Sequence, residues 1–252
     1  MERSKVKISQ TSIMHFVKFV FRSVVFILFA VLYVFNKVNN TGLLFGEYDK
    51  IIYLTLPVWL ILLIEMFIRF FPNKLESPGC QKHLSKKFLP TKEKVPTKHS
   101  WKRTFIVAFL WLLGNGLIGL LYFLKIIDEG ILVLLCLLYG IGDMICILFF
   151  CPFQTWFLKN RCCTDCRIYN WDFAFMFTPF IFIPHFFTWS LLGVSLILLV
   201  WWEIAIRLHP EWFSENTNAG LSCENCNERL CHHKKQLKEF IIKNKNRFFS
   251  KK

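Results

Sequence analysis

Residues 173–206 read FAFMFTPFIFIPHFFTWSLLGVSLILLVWWEIAI, an apolar stretch of 34 residues. A helix of about 20 apolar residues crosses the hydrocarbon core of a bilayer, so this stretch is too long for one ordinary crossing and barely long enough for two. Pro184 and His185 lie near its middle. Because proline lacks a backbone N–H group and clashes with the preceding turn, it predicts a break there. We therefore expect a short hairpin of two spans, 173–186 and 188–206; a single kinked and tilted helix is the alternative.

Similar apolar stretches occur earlier in the chain, separated by short basic segments. This clustering, more than the overall hydrophobic content of 54%, distinguishes the chain from a soluble domain. The first stretch has a basic flank but no small-residue cleavage site, so we interpret it as a retained span and not as a signal peptide. The earlier predicted spans are 16–36, 51–71, 104–124 and 131–152.

The fold class predicted from these stretches is an all-α membrane protein. It is a polytopic helical bundle of about six transmembrane helices, the last two forming the short hairpin. The transmembrane region covers residues 1–206 and is followed by a basic, cysteine-rich tail, residues 207–252.

The formal net charge of +14 is explained by where the basic residues lie. They concentrate at the N-terminus, in the predicted loops 72–103 and 154–172, and in the tail. The connector after the first span offers only Lys37 and Lys50, and the connector after the third only Lys125. Because basic loops stay on the cytosolic side, both termini are predicted to be cytosolic, which requires an even number of crossings in the last apolar stretch.

The same charge distribution predicts the partners. The bilayer is the first of them, and the tail segment LKEFIIKNKNRFF alternates apolar and basic residues in a way that suits contact with anionic lipid. A cytosolic protein partner is possible, and no nucleic-acid partner is expected. The frequent Phe, Ile, Lys and Asn residues are typical of a bacterial inner-membrane protein, so the predicted location is the plasma membrane, crossed several times.

Cysteines are concentrated on one side of the predicted membrane. The segment 159–172, KNRCCTDCRIYNWD, gathers three of them at one polar position. Because the cytosol is reducing, structural disulfides are disfavoured there and metal ligation is favoured. Of the ten cysteines, eight fall in predicted cytosolic segments or at a cytosolic helix end: Cys80, Cys151, Cys162, Cys163, Cys166, Cys223, Cys226 and Cys231.

Two C-x-x-C pairs provide the predicted core ligands, Cys163 with Cys166 and Cys223 with Cys226. Two intervening residues let a tight turn direct both sulfurs at one ion, as in tetrahedral thiolate sites. The 56 residues between the pairs exceed the spacing of a compact zinc ribbon. However, most of that chain is the predicted hairpin, which leaves the cytosolic face and returns to it, so one site of four thiolates would join both ends of the hairpin.

The remaining thiols enlarge the possible ligand set. Eight thiolates would fill two four-ligand sites, or an iron–sulfur cluster plus a zinc ion. The C-x2-C-x4-C pattern of Cys223, Cys226 and Cys231 does not match the cysteine spacing of bacterial ferredoxins, so zinc is favoured over an iron–sulfur cluster. Adjacent Cys162 and Cys163 do not easily bind one ion in regular geometry, and a single cysteine is often a small buried apolar side chain. The secondary candidates are Cys162 and Cys231, then Cys80 and Cys151, with His83, His232 and His233 as possible imidazole ligands.

Acidic side chains within predicted spans need counter-charges. Glu65 and Glu203 each have an arginine four residues later, Arg69 and Arg207 respectively. Opposite charges at this spacing share a helix face, so structural ion pairs are expected. Asp172 is expected to cap the helix that begins at the next residue.

Asp143 differs, since no basic residue lies within a helical turn of it. At helical spacing it shares a broad face with Cys136 and Cys146. An intramembrane carboxylate indicates a functional site by default, here an ion or proton site or a path for a soft metal. The alternative is a buried carboxylate bonded to Asn115 or to a tryptophan of another span.

The sequence contains no phosphate-binding loop, nucleophile elbow or H-E-x-x-H metalloprotease motif, so enzymatic activity is not predicted. The favoured interpretation is a membrane component whose cytosolic face is braced by a cysteine-bound metal ion and serves a structural or docking role. The alternatives are an iron–sulfur electron-transfer protein, and a soft-metal transporter or sensor that uses Asp143 and the membrane cysteines.

Overall fold

The computed structural model describes residues 10–39, 48–92, 95–97, 101–158 and 166–222, and in these ranges every regular element is helical. The fold is a helical bundle, which confirms the predicted all-α class. Its helices are α1 (Gln10–Asn39), α2 (Tyr48–Ile68), α3 (Pro78–Gln81), α4 (Trp101–Phe123), α5 (Glu129–Leu148), α6 (Asp172–Phe177) and α7 (Phe186–Leu208).

Short helical segments connect and extend these elements. Most are 3-10 turns, and one after α5 is a π-helix, Phe153–Leu158. The 3-10 turns are Ser85–Lys87, Tyr169–Trp171, Thr178–Phe182, Pro210–Phe213 and Ala219–Leu221.

Helices α1, α4, α5 and α7 are long and apolar enough to cross a membrane. Each has at least 20 residues. Because an α-helix rises about 1.5 Å per residue, each is at least about 30 Å long, which matches the hydrocarbon core of a bilayer. The described side chains of α2, from Tyr53 to Ile68, form a shorter apolar helix. The sequence is therefore that of a membrane-embedded protein.

The predicted hairpin differs from the observed structure. The chain does break before α7, where the His185 ring accepts a hydrogen bond from the Phe187 N–H (3.4 Å). However, the predicted span 173–186 is only the six-residue α6 followed by the five-residue 3-10 turn Thr178–Phe182. Together these rise about 20 Å, less than a regular membrane-crossing helix, so the predicted count of six regular membrane-spanning helices is not reproduced. Pro179 and Pro184 explain the shortening, since each removes a backbone donor.

This short segment lies in the centre of the bundle. Phe173, Phe177 and Phe180 are buried and stack in sequence, with ring centroids 6.2 and 5.7 Å apart. They pack with buried side chains of α2, α5 and α7. Broken backbone at membrane depth is tolerated where protein surrounds it, so burial of these rings is what permits the interruption.

Two glycines make room for the central segment. A Cβ atom at Gly119 of α4 would overlap the ring of Phe182, and one at Gly140 of α5 would lie 2.9 Å from the Met176 methyl carbon. Small residues at these two positions let α4 and α5 approach the segment closely.

One end of the bundle carries a polar layer, formed by residues 69–92, 166–171 and 209–222, which we call the end layer. Helix α7 ends at Leu208, and Pro210 begins the next turn, as its lack of a backbone donor predicts. A hydrogen bond joins the segments 69–92 and 209–222 of this layer: the Leu89 N–H donates to the Asn218 side-chain oxygen (3.1 Å). Helix α3 contacts both Tyr169–Trp171 and Ala219–Leu221.

Candidate functional site

The predicted metal ligands fall partly outside the described residues. Cys162, Cys163, Cys223, Cys226 and Cys231 lie there, as do His232 and His233. Within the described ranges, no three His, Cys, Asp or Glu side chains are grouped closely enough to hold a metal ion.

Two of the predicted ligands, Cys80 and Cys166, are described and are buried in the end layer. The Cys166 carbonyl accepts a hydrogen bond from the Lys82 ammonium (3.1 Å), and Lys82 is itself only 1% exposed. The Cys80 carbonyl accepts from the Asn170 amide (2.7 Å), and its thiol donates to Glu76 (3.4 Å). Cys80 and Cys166 therefore belong to one hydrogen-bonded layer.

A buried ion network built on Arg22 lies deeper in the bundle. The Arg22 guanidinium is 2.8 Å from the Glu65 carboxylate and 3.3 Å from that of Asp143, and it donates to the Gly140 carbonyl (3.0 Å). The expected helical pair of Glu65 with Arg69 is therefore wrong, because α1 presents Arg22 to Glu65 instead. Asp143 bonds neither to Asn115 nor to a tryptophan in the described structure, and the Asn115 amide donates to the Trp111 carbonyl of its own helix (3.0 Å).

Arg69 forms a second network where the bundle meets the end layer. Its guanidinium is 2.7 Å from the Asp172 carboxylate and 3.9 Å from Glu76, and it lies over the Phe173 ring, 4.4 Å from the centroid. Asp172 is the first residue of α6 and pairs with Arg69, so the expected capping role is wrong. Glu76 also pairs with Lys18 of α1 (2.5 Å).

Glu203 has a different partner from the one expected. It pairs with Arg167 and accepts a hydrogen bond from the Trp171 indole (3.0 Å). Arg207 instead lies over the Trp101 ring, 5.5 Å from its centroid. The expected Glu203–Arg207 pair is therefore wrong, because the chain just before the turn Tyr169–Trp171 places Arg167 next to the Glu203 carboxylate.

A cavity of about 500 Å³ lies beside the two networks, between α4, α5, the π-helix and α6. Its walls are mostly apolar. Asp143, Asp172 and Tyr169 supply polar groups, and three thiols, those of Cys146, Cys151 and Cys166, also line it. Cys136 does not line it: this thiol is 0% exposed in the central core.

The arginine networks are not predictable from local sequence because their members are distant in the chain. Arg22 and Glu65 are 43 residues apart, and Arg22 and Asp143 are 121 apart. One signal was present, since Arg22 lies inside the predicted span 16–36, and a cation within a span needs a buried partner.

Burial also shifts the titration of the end layer. Burial lowers the pKa of His83 to about 4, and the charge of Arg69 acts in the same direction. Burial alone would raise the pKa of Glu76, but the charges of Arg69 and Lys18 lower it to about 2.

These two shifts predict acid destabilisation in two pH windows. An unfolded histidine takes up a proton near pH 6.5, whereas folded His83 does so near pH 4, so stability is lost as pH falls from about 6.5 to 4, by about 3 kcal/mol at most. Glu76 contributes stability above its unfolded pKa of 4.5, which is lost as pH falls toward 2. Unfolding midpoints measured from pH 7 to 4 should fall more steeply for the wild type than for His83→Gln. Equal slopes would contradict the burial of a neutral His83.

Comparison of the chain with protein-family models, curated proteins and solved structures finds no match in any of the three.

Proposed function

We propose that this chain is an integral membrane protein whose cytosolic layer is braced by a metal ion bound through Cys163, Cys166, Cys223 and Cys226. Zinc is favoured over an iron–sulfur cluster, and the braced layer serves as a structural or docking surface. The observation that carries the proposal is the position of α3, which contacts the turns next to both C-x-x-C pairs.

The two contacts bring the flanks of the pairs to one layer. Tyr169–Trp171 follows Cys166 by three residues, and Ala219–Leu221 precedes Cys223 by two. Both turns touch the four-residue α3. The flanks of two pairs that are 56 residues apart in sequence therefore contact one helix, which supports the proposal of a shared tetrahedral site.

Cys166 is fixed in the end layer through its backbone. The buried Lys82 ammonium lies 3.1 Å from the Cys166 carbonyl oxygen. Cys162 and Cys231 are the next candidate ligands, followed by Cys80, in α3, and Cys151.

The proposed topology places the end layer and both termini in the cytosol. In this arrangement the segment 172–182 serves as a broken sixth element, which leads from the end layer into the bundle, and α7 leads back to the end layer. The plasma membrane is the proposed location, the basic tail the proposed contact with anionic lipid, and a cytosolic protein the proposed docking partner.

The test is metal analysis of protein purified without oxygen. We expect about one zinc per shared site, and we expect Cys163→Ser and Cys226→Ser to lose the metal and the folded yield together, because structural sites couple metal binding to folding. Cys146→Ser is the matched control, since this thiol lines the cavity and is not among the proposed ligands.

Three other results distinguish the alternatives. A wild-type protein that folds normally without metal would end the proposal. Iron with acid-labile sulfide, and visible colour that bleaches on reduction, would favour the electron-transfer alternative. Loss of cellular metal accumulation in Asp143→Asn at unchanged expression would favour the soft-metal transporter.

A further inference from the structure

The cavity beside Asp143 has a wall of aromatic rings. Trp111 stacks on Phe175 with ring centroids 4.4 Å apart and meets Tyr139 at 4.7 Å. Phe153 lies 6.2 Å from Phe175. All four side chains line the cavity. Aromatic faces gathered around a space attract cations, and quaternary ammonium groups are the typical ligands of such sites.

The charged groups of the cavity are carboxylates. Asp143 and Asp172 line it, whereas no Lys, Arg or His does so among the described residues. Arg22 and Arg69 reach these carboxylates from the α1 and α2 side. The Asp143 side chain is 17% exposed and that of Arg22 only 3%. The cavity is therefore lined by the Asp143 carboxylate and not by the arginine that pairs with it.

We propose that this cavity binds a monovalent organic ammonium ion with an apolar body. Its volume of about 500 Å³ lies within the range of small-molecule sites, which combine apolar walls with a few placed polar groups. The apolar part of the ligand would contact the walls supplied by Leu138, Ile145 and Phe150. A zwitterionic lipid fits less well, because its phosphate would face two carboxylates without a basic residue in the described wall. This inference does not depend on the thiolate metal site.

The first test compares two probes of the same shape on the wild-type chain in lipid nanodiscs. Benzyltrimethylammonium carries the charge, and neopentylbenzene is its neutral carbon isostere. Equilibrium dialysis, with empty nanodiscs subtracted, should give at least about tenfold tighter binding of the cation, the size expected of a desolvated cation–π and charge contact. Equal binding of both probes would make the cavity a general apolar site and would overturn the proposal, as would no binding of the cation.

The second test uses variants. Asp143→Asn and Trp111→Ala should each weaken binding of the cation about tenfold. The matched controls are Trp189→Ala, whose ring is 54% exposed on α7, and Glu211→Gln in the end layer. Binding that is unchanged in both site variants, or that falls equally in the controls, would overturn the assignment. The probe comparison on the wild type decides the question even if a site variant does not fold.

Discussion

Replacing Arg22 with methionine is expected to lower the free energy of unfolding by about 3 to 5 kcal/mol, because two buried carboxylates would lose their counter-charge. Arg22 is 3% exposed and lies 2.8 Å from Glu65 and 3.3 Å from Asp143. An unpaired charge buried among apolar side chains is poorly solvated, and this raises the free energy of the folded state. Denaturant or thermal unfolding in one fixed detergent would measure the loss.

Two controls separate pairing from a general effect of charge removal. Lys37→Met breaks the pair with Asp128, whose side chains are 68% and 42% exposed, and should leave the unfolding midpoint close to that of the wild type. Adding Glu65→Gln and Asp143→Asn to Arg22→Met should recover part of the loss, since the uncompensated charges are then gone. An Arg22→Met midpoint no lower than that of Lys37→Met would contradict the network.

The second large effect is expected for Trp202→Ala, at about 3 to 5 kcal/mol, the usual cost of emptying a large buried aromatic site. Trp202 is 0% exposed, and its indole donates to the Arg167 carbonyl (2.6 Å). Its ring meets Phe213 edge-on, with centroids 4.9 Å apart, and faces the Lys82 ammonium at 5.3 Å. This side chain therefore joins α7 to the end layer.

The neighbouring residue provides a matched control. Trp201 is 41% exposed, so Trp201→Ala should cost about 1 kcal/mol or less. Trp202→Phe replaces the indole with a smaller phenyl ring and loses the hydrogen bond to the Arg167 carbonyl, and the loss of that bond alone is expected to cost about 1 to 2 kcal/mol. Equal losses for the alanine variants at 201 and 202 would contradict the packing of α7 on the end layer.

The candidate site could be predicted only in part. The unusual character of Asp143 was visible in the sequence, because it is an acidic residue inside an apolar helix. Its partner was not, since Arg22 approaches from a helix 121 residues away. The expected pairs of Glu65 and Glu203 failed for a related reason. An arginine at i, i+4 exerts only a weak attraction, and in the structure an arginine from a distant segment pairs with each carboxylate instead.

The sequence by itself determined the helical class, the position of the long apolar helices, the break before α7 and the end of that helix before Pro210. These features depend on apolar length and on the missing N–H group of proline, which act within one segment. Only the tertiary structure decided that the segment 172–182 is divided into a short helix and a 3-10 turn, which arginine neutralises which carboxylate, and that four aromatic rings meet at one cavity. Those features arise from packing between segments far apart in the chain, where the cost of burying an unpaired charge selects the partner that geometry brings closest.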